Sequence, residues 1–305
     1  MKSKSSYDVI IIGAGPGGIS AAIYLKRAGI NPLVLEADAP GGTLNKTHKI
    51  ENYPGYVDKD GTTLAFRMYS QIEELGVTFK TEKVINIENE NNFHKVITEN
   101  NVYECKYIII ATGKIPRKLD IKDADKYNGK GVSYCTICDG TLYKGKTIAI
   151  VGGGNSAMES ASYMKDIAKK IYIINRSPVL RADEKEQKEV LNNNNVEVIY
   201  NSKIKEIIDK QGLITGIKLD NEKQLEVSAI FVCIGQESNL AYYQNLNLKT
   251  DNLGIIVDVN MKTSDDYVYA CGDAISKSLY QVVTAVSEGA IAATNIIKNI
   301  KKKSN

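Results

Sequence analysis

The chain has 305 residues, with 39 lysines and arginines against 36 aspartates and glutamates, for a formal net charge of +3. At 43% apolar and 25% charged residues it has the composition of a soluble globular protein, long enough for two domains that each bury a core. The lysines are spread along the sequence, so no nucleic-acid footprint is expected; no stretch approaches the roughly 20 apolar residues of a membrane span, and no signal-peptide pattern opens the chain.

The first predicted element is a strand over 7–12, followed by Gly13-Ala14-Gly15-Pro16-Gly17-Gly18, a helix over 19–29, and a strand over 33–35 that ends on Glu36. Gly13 permits the turn, Gly15 lets the backbone approach a pyrophosphate, and Gly18 lets helix and strand pack closely. Free N–H groups at the helix start would meet the phosphate, and Glu36 is placed to accept hydrogen bonds from a ribose. A purely structural glycine turn would leave Glu36 unexplained.

A buried-type strand over 108–110 then ends in Ala111-Thr112-Gly113, and the chain is expected to cross into a second domain near 114–118. After Tyr134-Cys135-Thr136-Ile137-Cys138-Asp139-Gly140 comes a strand over 147–151 and a second turn, Gly152-Gly153-Gly154-Asn155-Ser156-Ala157. A helix over 158–169 and a strand over 171–174 follow. That strand ends not on an acid but on Asn175-Arg176, with Arg181 close behind. A carboxylate there suits a free ribose 2′-hydroxyl and an arginine suits a 2′-phosphate, which tilts the expected donor toward NADPH over NADH.

The last stretch holds a strand over 230–234, a return crossing near 240–247, a strand over 267–270, Cys271-Gly272-Asp273-Ala274 and a helix over 281–298. Asp273 can reach a flavin's ribityl chain or cap the helix that follows it. The Lys301-Lys302-Lys303 tail reads as a frayed terminus. The fold class expected is α/β, with two Rossmann-like dinucleotide-binding domains, the second inserted into the first. Residues 1–116 and 244–305 form the discontinuous FAD-binding domain. Residues 117–243 form a pyridine-nucleotide-type domain that carries the Cys-x-x-Cys pair. Two turns of this kind call for two nucleotides, a flavin and a nicotinamide, and two crossings make a double hinge.

Five cysteines with one close pair do not make a secreted disulfide framework, and a cytoplasmic setting is expected. Cys135 and Cys138 are close enough to close a small disulfide ring, and Asp139 is the nearby proton carrier, since His48 and His94 are remote in sequence. A structural zinc would need two more ligands, whereas Cys105, Cys233 and Cys271 stand alone and read as small buried hydrophobes; no metal is expected. An inert structural disulfide is the other alternative.

Over roughly residues 5 to 300 the sequence resembles the low-molecular-weight thioredoxin reductases. The resemblance rests on Gly13 to Gly18, Pro40-Gly41-Gly42, Glu51-Asn52-Tyr53-Pro54-Gly55, Ala111-Thr112-Gly113, Cys135 to Gly140, Gly152 to Ala157 and Gly272-Asp273. It implies a homodimeric flavoprotein that reduces a thioredoxin-like protein. FAD would lie against Gly13, Gly15, Gly18, Glu36, Gly42, Asn52, Ala111, Gly113, Gly272, Asp273 and Gln281, and the nicotinamide nucleotide against Gly152, Gly154, Ala157, Arg176 and Arg181. The resemblance further implies that Cys138 faces the flavin, Cys135 attacks the protein substrate, Asp139 serves as acid and base, and the domains rotate between two states. Three positions depart from the family. Its His-Arg-Arg signature is Asn175-Arg176-Ser177 here, its Arg-Gln before the last helix is Tyr280-Gln281, and the Gln of its Gly-Gly-Gln-Leu is Thr43. Ferredoxin, as in ferredoxin-dependent flavin thioredoxin reductases, and NADH, as in the related alkyl hydroperoxide reductase flavoproteins, are therefore the alternative donors.

Overall fold

The apolar run near the start of the chain becomes β1 (Lys4–Ile12), followed by α1 (Pro16–Arg27) and β2 (Leu33–Glu36), in a computed structural model that describes residues 4–47, 50–58, 60–90, 93–238 and 241–304. His48 lies outside the described residues. α2 (Gly61–Glu74) starts at Asp60, whose carboxylate accepts from the Thr63 N–H at 2.6 Å and so satisfies one orphan donor of the first turn. β3 (Thr78–Thr81), β4 (Val84–Asn89), β5 (His94–Thr98), β6 (Val102–Ile110) and β7 (Lys114–Pro116) complete this stretch.

Next come β8 (Val132–Ser133), the single-turn α3 (Thr136–Asp139), β9 (Thr147–Val151), α4 (Asn155–Met164), β10 (Lys170–Ile174), α5 (Glu184–Leu191) and β11 (Val196–Ile199). β12 (Ile204–Lys210), β13 (Leu213–Leu219), β14 (Gln224–Glu226) and β15 (Ala229–Val232) follow, then β16 (Gln236–Ser238), β17 (Val268–Ala270) and α6 (Val282–Ser304). The chain divides into two units, Met1–Ile115 with Glu237–Asn305, and Pro116–Gln236. β7 and β16, the strands through which the chain passes between the units, pair with each other.

In the first unit the sheet order is β3-β2-β1-β6-β5-β4, with β17 also on β6. β6 is the organising strand. One edge runs parallel to β1 along its length. The other pairs first with antiparallel β5, from Val102 to Cys105, and then with parallel β17, from Ile108 to Ile110. Val9 and Ile11 face one core with α1, α2 and α6, while Ile10 and Ile12 face the other. A strand buried on both faces reads as a continuous apolar run, and each Ile or Val buried this way contributes about 1.5–3 kcal/mol.

The second unit has a parallel sheet in the order β11-β10-β9-β15-β8 and an antiparallel sheet β12-β13-β14. Ile148, Ile150, Ile171 and Ile173 pack with Met158, Ala161 and Met164 of α4. Ala149, Val151 and Ile230 pack with Ile207, Ile217 and Leu225 of the antiparallel sheet.

Four expectations are corrected. The second unit ends at Gln236, not at 243, because Tyr243 and Leu246 are buried in the first unit's core beside Val84 and Ile87. α4 stops at Met164 rather than 169, since the Asn195 side chain donates to the carbonyls of Lys165 and Ala168 at 2.7 and 3.2 Å and closes the turn. The lysines at 301 and 302 lie in the last turns of α6 instead of a frayed tail. Asp273 does not cap α6, which begins only at Val282; it sits in the short 3-10 turn Gly272–Ala274.

Candidate active site

In the first glycine turn, Gly13 has φ +103°, and a Cβ there would lie 2.3 Å from the Ala111 carbonyl oxygen, so only glycine fits between β1 and the end of β6. Around Gly15 the space is open. Glu36 faces back into the turn, one carboxylate oxygen accepting from the Ala14 N–H at 2.7 Å and the other from Ala37 at 2.8 Å and Asp38 at 3.1 Å. The Gly41 N–H donates to the Ala14 carbonyl at 2.7 Å, and a Cβ at Gly42 would lie 3.4 Å from the Gly15 Cα.

Other expected residues of the first unit gather on the same sheet ends. Asn52 donates to the Gln281 side chain at 2.9 Å across 229 residues of sequence. Gly272 and Asp273 follow β17 beside Ala111 and Gly113 at the end of β6, because β17 and β6 are paired. Burial pushes the Asp273 carboxyl up from its ordinary range, against the opposing pull of Lys277 and Lys114. Sequence reasoning missed the group beneath this turn. Buried Glu288 accepts from the Gly272 N–H at 2.9 Å and from Lys277 Nζ at 2.8 and 3.0 Å. It also missed Thr112, whose Oγ1 is buried with no hydrogen-bond partner among the described residues. An open approach at Gly15, an acid at the strand end and an unsatisfied hydroxyl between Ala111 and Gly113 fit FAD.

The second turn repeats the plan. Gly152 has φ +139° and a Cβ there would lie 2.2 Å from the Cys233 carbonyl oxygen at the end of β15, while Gly154 faces open space. Ala157 is fully buried on α4. Asn175 is buried too, and its amide donates to the carbonyls of Ser177 and Val179 at 2.9 Å each. The Arg181 N–H donates to the Gly153 carbonyl at 2.6 Å. These bonds fold 175–181 over the turn and leave the Arg176 and Arg181 side chains exposed.

Cys135 and Cys138 form a disulfide across α3, with Cα atoms 5.4 Å apart. Cys135 is half-buried at the helix start and its Sγ accepts from the Cys138 N–H at 3.2 Å, while Cys138 is exposed. Asp139 ends the same turn, and its Oδ2 accepts from Ser133 Oγ at 2.7 Å. Thr136 donates to Ser160 of α4 at 2.8 Å, which anchors the loop to the second unit. Ser133 carries no signal in the sequence, since only the fold of the loop brings its hydroxyl to Asp139. Cys105, Cys233 and Cys271 are free thiols, and burial pushes Cys233 up to about 11 and Cys271 up to about 12. Among the described residues no three His, Cys, Asp or Glu side chains are grouped to hold a metal.

A family model described as pyridine nucleotide-disulphide oxidoreductase matches residues 7–289. The chain belongs to that family. As a pyridine nucleotide-disulphide oxidoreductase it is a flavoprotein, and FAD is its cofactor. It is 39% identical to a thioredoxin reductase of Mycoplasma pneumoniae over 302 residues, covering 97% of this chain and 96% of the relative. Among solved structures, thioredoxin reductase from Lactococcus lactis in its FR conformation superposes with a TM-score of 0.91 at 35% identity, covering 97% of this chain and 99% of that one. Thioredoxin reductase from T. acidophilum gives 0.89 at 30% identity, with the same coverage.

Proposed function

We propose that the chain is a thioredoxin-disulfide reductase, passing electrons from a donor through FAD to the Cys135–Cys138 disulfide and on to a thioredoxin-like protein. The observation that carries this reading is the disulfide itself, closed over one helical turn with one sulfur exposed and a carboxylate in the same turn. Similarity over nearly the full length to thioredoxin reductases supports it. FAD supplies the link between two-electron nicotinamide chemistry and dithiol chemistry.

In this reading Gly13, Gly15, Gly18, Glu36, Gly42, Asn52, Ala111, Gly113, Gly272, Asp273 and Gln281 hold the flavin nucleotide. The dithiol form acts through Cys135, whose sulfur attacks one sulfur of the partner's disulfide. Asp139 takes the Cys135 proton and returns it to the leaving partner sulfur. Cys138 then attacks Cys135 in the mixed disulfide, its own proton passing to the second partner sulfur as that sulfur leaves, which restores the internal disulfide and releases the partner as a dithiol. The partner gains the two electrons that the enzyme's dithiol loses.

NADPH is the donor in this proposal. β10 ends on Asn175 instead of an acid, and Arg176 and Arg181 are both exposed on the loop beside Gly154, with Gly152 and Ala157 completing the turn. Ser177, in place of a further arginine, keeps ferredoxin and NADH as outcomes of the test. A homodimer in the cytoplasm belongs to the same reading, supported by the family resemblance and by a single redox pair among otherwise free cysteines. No helix among the described residues is long and apolar enough to cross a membrane.

The test is anaerobic reduction of the FAD-loaded protein with NADPH, NADH and reduced ferredoxin in separate cuvettes, followed by addition of oxidised thioredoxin. Rapid bleaching by NADPH and stoichiometric reduction of thioredoxin is the expected result. Bleaching by ferredoxin alone overturns the donor, and failure to reduce thioredoxin after bleaching overturns the function.

A further inference from the structure

Ser133 closes β8 and is almost fully buried, yet none of its hydroxyl's bonds serve the sheet. Its Oγ accepts from the Cys135 N–H at 3.1 Å and donates to Asp139 Oδ2 at 2.7 Å. The Cys135 carbonyl lies 3.2 Å away, but one hydroxyl proton serves one acceptor, and the shorter, charge-assisted contact takes it. The hydroxyl therefore spans the loop, bonded at one end to the cysteine that would attack the partner and at the other to the carboxylate that would manage its proton.

We propose that Ser133 is a positioning residue for proton transfer at the dithiol, acting through Asp139. With Oδ2 held by Ser133, Oδ1 is the oxygen that takes the Cys135 proton when the thiol becomes a thiolate and returns it to the departing sulfur. The elements packed around Asp139 bring Tyr143 on the following 3-10 turn, which feels its charge, and Glu159 and Tyr163 on α4.

The inference rests on the reductase reading, and the experiment separates the two. FAD-loaded wild type, Ser133→Ala, Asp139→Asn and the double variant are reduced with dithiothreitol and freed of it. The rate of alkylation by iodoacetamide is then followed against pH, and thioredoxin turnover is measured in parallel. Ser133→Ala should keep its flavin and its KM for thioredoxin, lose roughly ten- to hundredfold in kcat, and be alkylated more slowly than wild type across the pH range. In the Asp139→Asn background the same change should cost nothing further. Superimposable alkylation profiles for wild type and Ser133→Ala overturn the proposal, as does an undiminished Ser133→Ala effect in the Asp139→Asn background. Slower alkylation of Ser133→Ala than of wild type, with a wild type that reduces no thioredoxin, sinks the reductase reading and leaves the role of Ser133 intact.

Discussion

In the first unit Gly13 seats its turn on the Ala111 carbonyl at the end of a neighbouring parallel strand, and in the second Gly152 seats its turn on the Cys233 carbonyl in the same way. At both, the next glycine of the motif, Gly15 or Gly154, faces open space. The turns diverge afterwards. A Cβ at Gly18 would lie 2.0 Å from the Gly13 carbonyl oxygen, whereas the second unit holds Ala157 at the matching place, fully buried. More tellingly, the first crossover ends on Glu36, an acceptor turned into the turn, and the second ends on Asn175, a donor turned into its own loop. One backbone plan therefore carries an acid at the strand end in one unit and a loop bearing two arginines in the other. In the proposed reading the glycines call for a dinucleotide in each unit and the residue after the second strand selects between them.

The largest expected effect separates the units by chemistry. Cys135→Ser should leave the flavin spectrum intact and reduce thioredoxin turnover by about a thousandfold or more, since Cys138 alone cannot close the internal disulfide again. Full turnover in that variant would end the dithiol mechanism. A pair of smaller insults should divide cleanly along the same line. Gly13→Ala puts a Cβ against backbone and should empty the first unit of FAD, read as lost visible absorbance per protein. Gly152→Ala should keep the yellow protein and raise the KM for the nicotinamide donor at least tenfold, a loss of about 1.4 kcal/mol or more. Loss of FAD from both variants would break the assignment of one nucleotide to each unit.

Where apolar runs meet glycine, the fold was legible in the sequence: β1, β2, β9 and β10 fall where strands were expected because a strand buried on both faces leaves an uninterrupted Ile and Val signature. What escaped was decided at a distance. Tyr243 is apolar in either unit, and nothing local says that it belongs to the core of Val84 and Ile87. α4 is ended by Asn195, 30 residues beyond Lys165. The Asp273 turn separates from α6 because the intervening segment carries Lys277 inward to Glu288, a pairing no periodicity announces. At the candidate site the cysteines and Asp139 were visible as a motif, but Ser133 was not, because its role exists only once β8 and α3 have folded against each other.

The donor end of the comparison can be sharpened by Arg176→Ala. If the exposed guanidinium meets a 2′-phosphate, the variant should weaken NADPH by about ten- to a hundredfold, at about 1.5–3 kcal/mol for a charge-assisted contact, and change NADH use little. Equal losses with both nucleotides would mean that Arg176 supports the loop and reads no phosphate.

The smallest effect tests whether the first unit's stability is independent of the second unit's chemistry. Asp265 Oδ1 accepts from the Tyr267 N–H at 2.8 Å, and Oδ2 lies 3.3 Å from Asn89 Nδ2 and 3.9 Å from Nε2 of His94, a ring that is only 2% exposed. At that last distance the His94 contact is not a hydrogen bond. His94 and the Tyr267 amide hold the Asp265 carboxyl below its ordinary range, against the desolvation of the site. A carboxylate whose folded value is depressed stabilises the fold above its unfolded value, and the gain is lost as pH falls through the folded one. Asp265→Asn should therefore cost about 1–2 kcal/mol near pH 7, a fall of roughly 2–8 °C in Tm. The gap between the two proteins should stay flat down to about pH 5 and close below about pH 4. Thioredoxin turnover at 25 °C should not change, because Asp265 lies in the first unit, on the turn that leads into β17 and away from the glycine turn. A gap that widens in acid would overturn the assignment of the stabilising charge to the Asp265 carboxylate.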